Sequence, residues 1–468
     1  MNSVVEKWFR ENRDEVERLA KEVFDHPEVS AEEEYACRVT ADFLEQAGFA
    51  VKKITVPPAA VENGVVATWG SGGPVIGILG EYDALPGLGQ DAVPYRSPRP
   101  GPGHGCGHCL MNAGCAAGAV ALKAAMEAEK LAGTVVYLAC PAEEGLSGKV
   151  HMLADGWFDG IDLCIAWHDG GPFRVAEHIN QAMISVEFIF RGQTAHAACS
   201  PEQGRSALDA AQLMNMGVEF LREHVEDAVR IHYVFGCGGE RPNVVPDYAT
   251  LKYYVRSYNK KSVDEVFARI CEVAKGAALM TGTRAAYKLI GGGYEPLLNF
   301  TLNQALYDAA QKVPDITYDA EDEAFARELY RNYNGAEAPA RLELGERGHI
   351  YGECGLLPTH FCGLLGHGWA ESGSTDVNDV SQVIPTVQLF GGGVMGVGGH
   401  SWGVTASSGS PAGRKAALQA GKYIAQFCLD VFQDPSLAKK CREELKKSRE
   451  GLLPYSPILA TGREESLS

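Results

Sequence analysis

The chain has 468 residues, 46% hydrophobic and 22% charged, and its 42 Lys and Arg against 60 Asp and Glu give a net charge of −18. At roughly 150 residues per domain this predicts two or three globular domains, and the acidic balance argues against a protein that binds nucleic acid or docks on an anionic membrane. The odd count of 13 cysteines argues against a disulfide framework, and neither a signal peptide nor an apolar run of membrane-spanning length is apparent. We therefore expect a reduced, soluble, cytoplasmic enzyme.

Apolar runs alternate with helical patterns over the first part of the chain. In chain order the predicted elements are a helix at 4–24, strands at 65–69 and 75–79, an Ala-rich helix at about 110–128, and strands at 134–140 and 162–167. Ser30 and Glu33 have the spacing of a capping box for a second helix. Apolar strands separated by helices are typical of a parallel sheet, so the pattern predicts an α/β domain.

The pattern changes near residue 183. Residues 184–192 alternate between apolar and polar side chains, as a half-exposed antiparallel strand does, and further strands and helices complete a small α+β unit. We therefore predict a catalytic domain formed by 1–182 and 294–468, interrupted by a smaller domain at 183–293. The tail after Leu453 is expected to be loosely ordered.

The segment GHGCGHC at 103–109 concentrates metal-binding residue types in His104, Cys106, His108 and Cys109. Thiolate and imidazole are preferred zinc donors, and the glycines let the backbone fold tightly enough for nearby side chains to converge. The same segment has a second pattern, because Cys106 and Cys109 are spaced like a thioredoxin-like dithiol. A disulfide oxidoreductase is therefore the alternative interpretation, although it leaves the rest of the chain unexplained.

Three further segments place polar donors after predicted strands or in a glycine-rich loop. Glu143 and Glu144 follow one buried strand, His168 follows the next, and His400 follows a run of glycines. In open α/β sheets ligands bind beyond the carboxyl ends of the strands. We therefore expect these side chains to meet at one edge of the sheet.

Together these segments supply enough donors for a pair of divalent ions. The donors are Cys106, His108, one of the two glutamates, His168 and His400. Two ions about 3.5–4 Å apart can polarise a carbonyl and lower the pKa of a water between them. The other glutamate would then be the general base.

Ten segments in matching order carry a resemblance that covers nearly the whole chain. They are DHPEVS (25–30), YDALPG (82–87), HGCGHC (104–109), CPAEEG (140–145), AWHDG (166–170), AHAACSPEQGRSALDA (195–210), PNVVPDYA (242–249), GAALMTGT (276–283), STDVNDVS (374–381) and HSW (400–402). The chain resembles the dinuclear zinc aminoacylase/carboxypeptidase superfamily of metallopeptidases, in its amidohydrolase branch, and most of all the aminobenzoyl-glutamate hydrolase B-subunit type. The resemblance implies a catalytic α/β domain interrupted by a lid and dimerisation domain.

The resemblance also implies a metal site with assigned residues. The implied ligands of two divalent ions are Cys106, His108, Glu144, His168 and His400. Zinc is the first expectation for these ions, and manganese or cobalt would also suit the donors. Glu143 is implied as general base and proton shuttle, and Asp83 as a residue that orients a ligand.

In the inserted domain the resemblance implies residues that act on the substrate. His196 matches the histidine that reaches into the partner subunit's active site and stabilises the oxyanion. Asn243 and Arg256 match residues near the substrate, and Arg256 is suited to hold a carboxylate. Many members of this branch carry Asp where Cys109 and Glu81 stand, and the role of Cys109 stays open.

The implied reaction is hydrolysis of the amide bond of an N-acyl or N-aroyl amino acid, or of a dipeptide-like substrate with a free carboxylate, such as p-aminobenzoyl-glutamate. The implied assembly is a homodimer, with a heterodimer formed with a homologous subunit as the other arrangement. A non-autonomous subunit that works only with a partner is a further alternative. No nucleic-acid or membrane partner is expected.

Overall fold

A computed structural model describes residues 1–145, 148–346, 349–460 and 462–467. The chain folds into two compact units. Unit 1 comprises Met1–Ile179, Pro296–Glu371 and Asp379–Tyr455, and unit 2 comprises Asn180–Glu295, Ser372–Asn378 and Ser456–Ser468.

The described part of the chain contains both helices and strands, often in runs of two or three of one kind. The α-helices are α1 (Ser3–Glu11), α2 (Arg13–Asp25), α3 (Glu34–Gln46), α4 (His108–Glu129), α5 (Gly148–Ala154), α6 (Ala207–Leu221), α7 (Lys260–Thr281), α8 (Phe300–Ala310), α9 (Ala320–Asn334), α10 (Val377–Ser381), α11 (Trp402–Ser408), α12 (Pro411–Gln433) and α13 (Ser436–Ser448). The strands are β1 (Ala50–Ile54), β2 (Gly64–Ser71), β3 (Val75–Glu81), β4 (Gly133–Cys140), β5 (Leu163–His168), β6 (Gly171–Ala176), β7 (Ala182–Arg191), β8 (Arg230–Cys237), β9 (Tyr248–Ser257), β10 (Arg284–Gly293), β11 (Leu342–Glu346), β12 (His349–Cys354), β13 (Phe361–Leu365), β14 (Thr386–Gly392) and β15 (Glu465–Ser466).

Unit 1 is built on an eight-stranded sheet of order β1-β2-β4-β3-β5-β14-β6-β13 among the described residues. The central strands β4, β3, β5 and β14 run parallel to one another, and β1 and β2 add antiparallel pairs at one edge. These central strands are buried nearly throughout, as their continuous apolar sequences predict. The predicted α/β fold with a mostly parallel sheet is therefore confirmed.

Helix α4 packs in the core of unit 1 between β3 and α12. A side chain at Gly114 would come within 2.8 Å of the Ala417 carbonyl oxygen, so glycine is what allows α4 to approach α12 this closely. Among the described helices, α4 alone is long and apolar enough to cross a membrane, but 89% of that segment is buried. Its apolar composition is accounted for by this burial in the core.

Unit 2 contains an antiparallel sheet of order β15-β10-β7-β9-β8. Burial alternates along much of β9, which places Tyr253 and Val255 in a core shared with α6 and α7. This arrangement confirms the predicted smaller α+β domain. Its role as a lid or dimerisation domain stays a prediction.

The N-terminal region differs from the prediction in two places. The helix predicted over 4–24 is two helices, because the backbone turns at Asn12, whose side chain donates to the Trp8 carbonyl at 2.8 Å. The capping box predicted for Ser30 and Glu33 is also wrong. Helix α3 begins at Glu34, and Glu33, at its N-cap, makes no capping hydrogen bond with its side chain.

The C-terminal tail also differs from the prediction, because it is packed rather than loosely ordered. Ile458 is buried in the core of unit 2, and β15 pairs with β10. Arg191 holds Glu464 through two hydrogen bonds of 2.7 and 2.8 Å. Residues 372–378 and 456–468 thus belong to the second unit, although their sequence position assigned them to the catalytic domain.

We expect Ile458→Ala to lower the free energy of unfolding of unit 2 by about 2 kcal/mol, because removal of a buried aliphatic side chain leaves a cavity. The matched control is Leu453→Ala, whose side chain is 83% exposed and whose loss should change stability by less than about 0.5 kcal/mol. Urea unfolding followed by circular dichroism measures both values. Equal unfolding midpoints for the two variants would show that the tail is not packed.

Candidate functional site

The candidate site of unit 1 lies at the carboxyl ends of three parallel strands. Strand β3 ends at Glu81 and leads to Asp83, β4 leads to Glu143 and Glu144, and β5 ends at His168. The register places Glu81 opposite Cys140, so β3 and β4 end at the same level of the sheet. This is the edge at which open α/β sheets bind ligands.

A first group of three donors consists of Cys106, His108 and His168. One ligand atom from each lies within 4.8 Å of the other two. The Cys106 Sγ atom is 3.5 Å from His168 Nε2. Cys106 belongs to the loop before α4, and His108 is the first residue of that helix.

A second group consists of Cys106, Glu144 and His400, again with ligand atoms within 4.8 Å of one another. His400 Nε2 lies 3.5 Å from Glu144 Oε2. The glycine-rich loop brings His400 to this edge, where the backbone N–H of His400 donates to the Gly105 carbonyl at 3.0 Å. Because Cys106 is common to both groups, the arrangement offers two adjacent cation positions that share one thiol.

Hydrogen bonds to the far side of the His108 and His168 imidazoles fix the direction of their ligand atoms. His108 Nδ1 lies 3.0 Å from both the carbonyl and the Oδ1 atom of Asp83, and His168 Nδ1 lies 2.7 Å from the Asp169 carbonyl. Both Nδ1 atoms therefore donate, and both Nε2 atoms face the other donors. Such a partner raises the basicity of a metal-binding imidazole.

A third group contains a residue not assigned from the sequence. Glu81 Oε2 lies 3.6 Å and Glu143 Oε2 lies 3.8 Å from His108 Nε2. The other oxygen of Glu81 accepts a hydrogen bond of 2.5 Å from Lys149, which is fully buried. The position of Glu81 at the end of β3, two residues before Asp83, was the signal that could have identified it.

Three buried atoms at this edge have no hydrogen-bond partner among the described residues: Glu81 Oε2, His108 Nε2 and Glu144 Oε1. An unpaired buried polar atom costs about 1–3 kcal/mol, so three of them at one place indicate a missing group. Thiol, imidazole and carboxylate are the donors that zinc prefers. The residues present therefore fit divalent cations.

Burial controls the protonation of these donors when no cation is bound. It raises the pKa of the Cys106 thiol to about 12 and lowers the pKa of His168 to about 4. Burial also raises the pKa of Glu144. A cation reverses the preference at Cys106 and Glu144, because it stabilises the thiolate and the carboxylate.

The second cysteine of the CGHC segment is placed differently from the first. Cys109 is fully buried in the core of unit 1, and burial raises the pKa of its thiol. A reactive dithiol needs an accessible thiol whose pKa is lowered. The structure therefore gives the oxidoreductase alternative no support.

In unit 2 the chain brings His196 and Asn243 together. The Ala197 N–H donates to the Asn243 carbonyl at 3.0 Å, beside a bridge between His196 and Val244. His196 Nδ1 accepts from two backbone N–H groups at 3.2 Å. The imidazole proton is therefore on Nε2, which leaves an exposed donor.

Arg256 lies on β9 and is half-buried. Its Nη1 donates to Ser374 Oγ at 3.3 Å, and its guanidinium lies 5.4 Å from the centre of the Tyr254 ring. Within the described part of the chain no carboxylate forms an ion pair with it, so the guanidinium retains donors for an anion.

Comparison with known proteins identifies the family of the chain. Peptidase family M20/M25/M40 matches residues 77–349. The p-aminobenzoyl-glutamate hydrolase B-subunit of Escherichia coli (strain K12) is 34% identical over 94% of this chain and 94% of that protein, and the Xaa-Arg dipeptidase of Homo sapiens is 26% identical over 92% and 88%. A dinuclear metal-binding peptidase of the M20 family from Bacillus subtilis has a similar fold, with a TM-score of 0.60 at 20% identity over 91% of this chain and 99% of that one. The chain therefore belongs to peptidase family M20/M25/M40.

Proposed function

We propose that this protein is a metal-dependent amidohydrolase. Its substrate class is an N-acyl or N-aroyl amino acid, or a dipeptide-like amide with a free carboxylate, and p-aminobenzoyl-glutamate is the first candidate. The proposal rests above all on the position of Cys106. This thiol belongs to two groups of metal donors, and one of these groups contains His108, which lies beside Glu143. The relative from Escherichia coli, which is named as part of a p-aminobenzoyl-glutamate hydrolase, supports the choice of substrate.

The metal-binding residues divide into two sets that share a thiol. Cys106, His108 and His168 would hold one divalent cation, and Cys106, Glu144 and His400 the other, with zinc as the first choice and manganese or cobalt as alternatives. When bound, the two cations polarise the amide carbonyl and a water molecule. Asp83 keeps the His108 imidazole in the orientation that binding needs.

Glu143 is the general base of the proposed reaction. Its carboxylate is buried and lies beside His108, where it can take the proton from the attacking water. The same carboxyl group then delivers that proton to the leaving amide nitrogen, so Glu143 is a carboxylate again after one turnover.

Residues of unit 2 recognise the substrate in this proposal. As the family resemblance implies, His196 would reach into the active site of the partner subunit, where its Nε2–H donates to the carbonyl oxygen as negative charge develops on it, and Asn243 contacts the substrate. Arg256 binds the free carboxylate, since a protein with a net charge of −18 needs a local cation to hold an anion.

We also propose a cytoplasmic homodimer as the working form. The Escherichia coli relative is named as one of the subunits of its hydrolase, which makes a heterodimer with a homologous chain the competing arrangement. Light scattering of the protein purified alone, followed by assay of the same sample, distinguishes an active homodimer from a chain that needs a partner.

The shared thiol predicts a specific pattern of metal loss. Cys106→Ala should reduce metal content from two ions per chain to well below one, because each site keeps only two of its donors. His400→Ala should retain one ion per chain, and Cys237→Ala on β8 should retain two. Metal content by mass spectrometry checks this, and a one-ion Cys106→Ala protein would show that the thiol is not shared.

The adjacent glutamates should behave differently when each is changed to glutamine. Glu143→Gln should lower kcat by about 10²–10⁴-fold because the proton acceptor is lost, while metal content stays at two. Glu144→Gln should lose metal from the second site. Assays of p-aminobenzoyl-glutamate hydrolysis on metal-loaded protein provide the comparison, and unchanged turnover in Glu143→Gln would falsify its role as base.

Charge reversal at Arg256 should weaken binding of carboxylate substrates. We expect Arg256→Glu to raise KM about 10–100-fold for such substrates, in line with a lost hydrogen bond to a charged group, and to spare the matching carboxamides. Lys252→Glu, an exposed position on the same strand, is the control for net charge. If both variants raise KM equally, the carboxylate is bound elsewhere.

A further inference from the structure

The turn that carries Glu143 is held by two buried carboxylates, one on each side. Glu33 Oε1 accepts the Ala142 N–H at 2.7 Å, and Asp83 Oδ2 accepts the Glu144 N–H at 3.0 Å. The two hydrogen bonds therefore fix the backbone immediately before and immediately after Glu143.

The backbone at this turn needs such support. Ala142 has a φ of 54°, in the left-handed region that residues with a Cβ rarely adopt. The turn also packs closely against Gly148, where a side chain would come within 1.6 Å of the Pro141 carbonyl oxygen. Conformations of this kind persist only when surrounding contacts determine them, and the Glu33 hydrogen bond is one of those contacts.

Glu33 is itself fixed in place. It is fully buried, and its Oε2 accepts from Asn63 Nδ2 at 3.1 Å. The Asn63 amide cannot flip without loss, because its Oδ1 accepts the Val56 N–H at 2.8 Å. The Tyr82 hydroxyl donates to the Asn63 carbonyl. Because Tyr82 directly precedes Asp83, this bond connects Glu33 and Asn63 to the segment that carries Asp83.

The local helix does not use the Glu33 side chain. Glu28 accepts the N–H groups of Tyr35 and Ala36 at 2.9 and 3.0 Å and so takes over the capping of α3. Ser30, the other member of the predicted capping box, donates to Asp83 at 2.7 Å. Both residues of that sequence pattern are thus directed towards the turn of Glu143 and its neighbours.

We propose that Glu33 is a positioning residue that holds Glu143 in place as general base. This inference rests on the proposed function for the role of Glu143, and it adds a residue that lies far from Glu143 in the sequence. A general base acts only within hydrogen-bond reach of the proton it takes. Loss of the hydrogen bond at Ala142 releases the backbone of Glu143 and moves its carboxylate out of that reach.

Three variants separate the hydrogen bond from the charge. Glu33→Asp keeps a buried carboxylate but withdraws it from Ala142. Glu33→Gln keeps an oxygen that can accept from Ala142. Its new NH2 group, however, faces the NH2 group of Asn63, so two donors meet and the hydrogen bond between residues 33 and 63 is lost. The double variant Glu33→Gln/Asn63→Asp exchanges donor and acceptor between the two positions, so every hydrogen bond of the network can form again with the total charge unchanged.

We expect Glu33→Asp to lower kcat about 10–100-fold, as the loss of supporting contacts around a metal site does, with KM and two bound ions per chain retained. Glu33→Gln alone should lose part of the activity, and the double variant should return to within about threefold of wild type. Hydrogen exchange at the Ala142 amide should become faster in Glu33→Asp and return to the wild-type rate in the double variant, whether or not a substrate is turned over.

Glu28→Ala is the matched control, because it weakens the end of α3 and spares the Ala142 contact. It should lower the melting temperature and leave kcat within about twofold. Unchanged exchange and kcat in Glu33→Asp, or a loss of kcat in Glu28→Ala as large as in Glu33→Asp, would overturn the positioning role. If Glu143→Gln is fully active, the proposed function fails; if Glu143→Gln is inactive and Glu33→Asp is fully active, only the positioning role fails.

Discussion

The parallel pairing of β3 with β4 and β5 determines where the donors of unit 1 can meet. The register sets Glu81 opposite Cys140 and Leu79 opposite Ala166, so the segments that follow these strands leave the sheet at one edge. Residues dozens of positions apart in the sequence are thereby brought within a few ångströms. The loop before α4 adds Cys106 at the point where one thiol can serve both groups of donors, and His400 completes the second group from the glycine-rich loop.

Burial then gives each hydrogen bond at this edge a large effect. Asp83 is 1% exposed, and its oxygens accept from Ser30, the Glu144 backbone and His108. An unpaired carboxylate in so buried a place would be costly, so these partners hold the Asp83 side chain in position and are held by it. One residue thereby orients the imidazole of one donor and the backbone of another, which couples the two groups of donors mechanically.

The sequence predicted the parts of this arrangement that depend on strand ends and residue type. Cys106, His108, His168, His400 and one of the two adjacent glutamates follow from donor type and from the rule that ligands gather beyond the carboxyl ends of parallel strands, whereas the choice of Glu144 came from the family resemblance; the structure brings these side chains together. Glu81 was not assigned although its place at the end of β3 satisfies the same rule. Lys149 and Glu33 did not follow, because their contacts are made with segments distant in the sequence. The packing of the tail was missed for the same reason, since Ile458 and the short β15 are stabilised by β10 and its core.

The segment at 28–34 shows how a buried partner overrides a local pattern. Ser30 and Glu33 have capping-box spacing, but Glu28 is also within reach of the start of α3, whereas Glu33 accepts the buried Ala142 N–H. An unmet buried donor costs more than an unmade cap, so the carboxylate of Glu33 goes to the turn. The helix end is then satisfied by Glu28. Of these two glutamates, one carboxylate therefore caps a helix and the other supports the turn of Glu143.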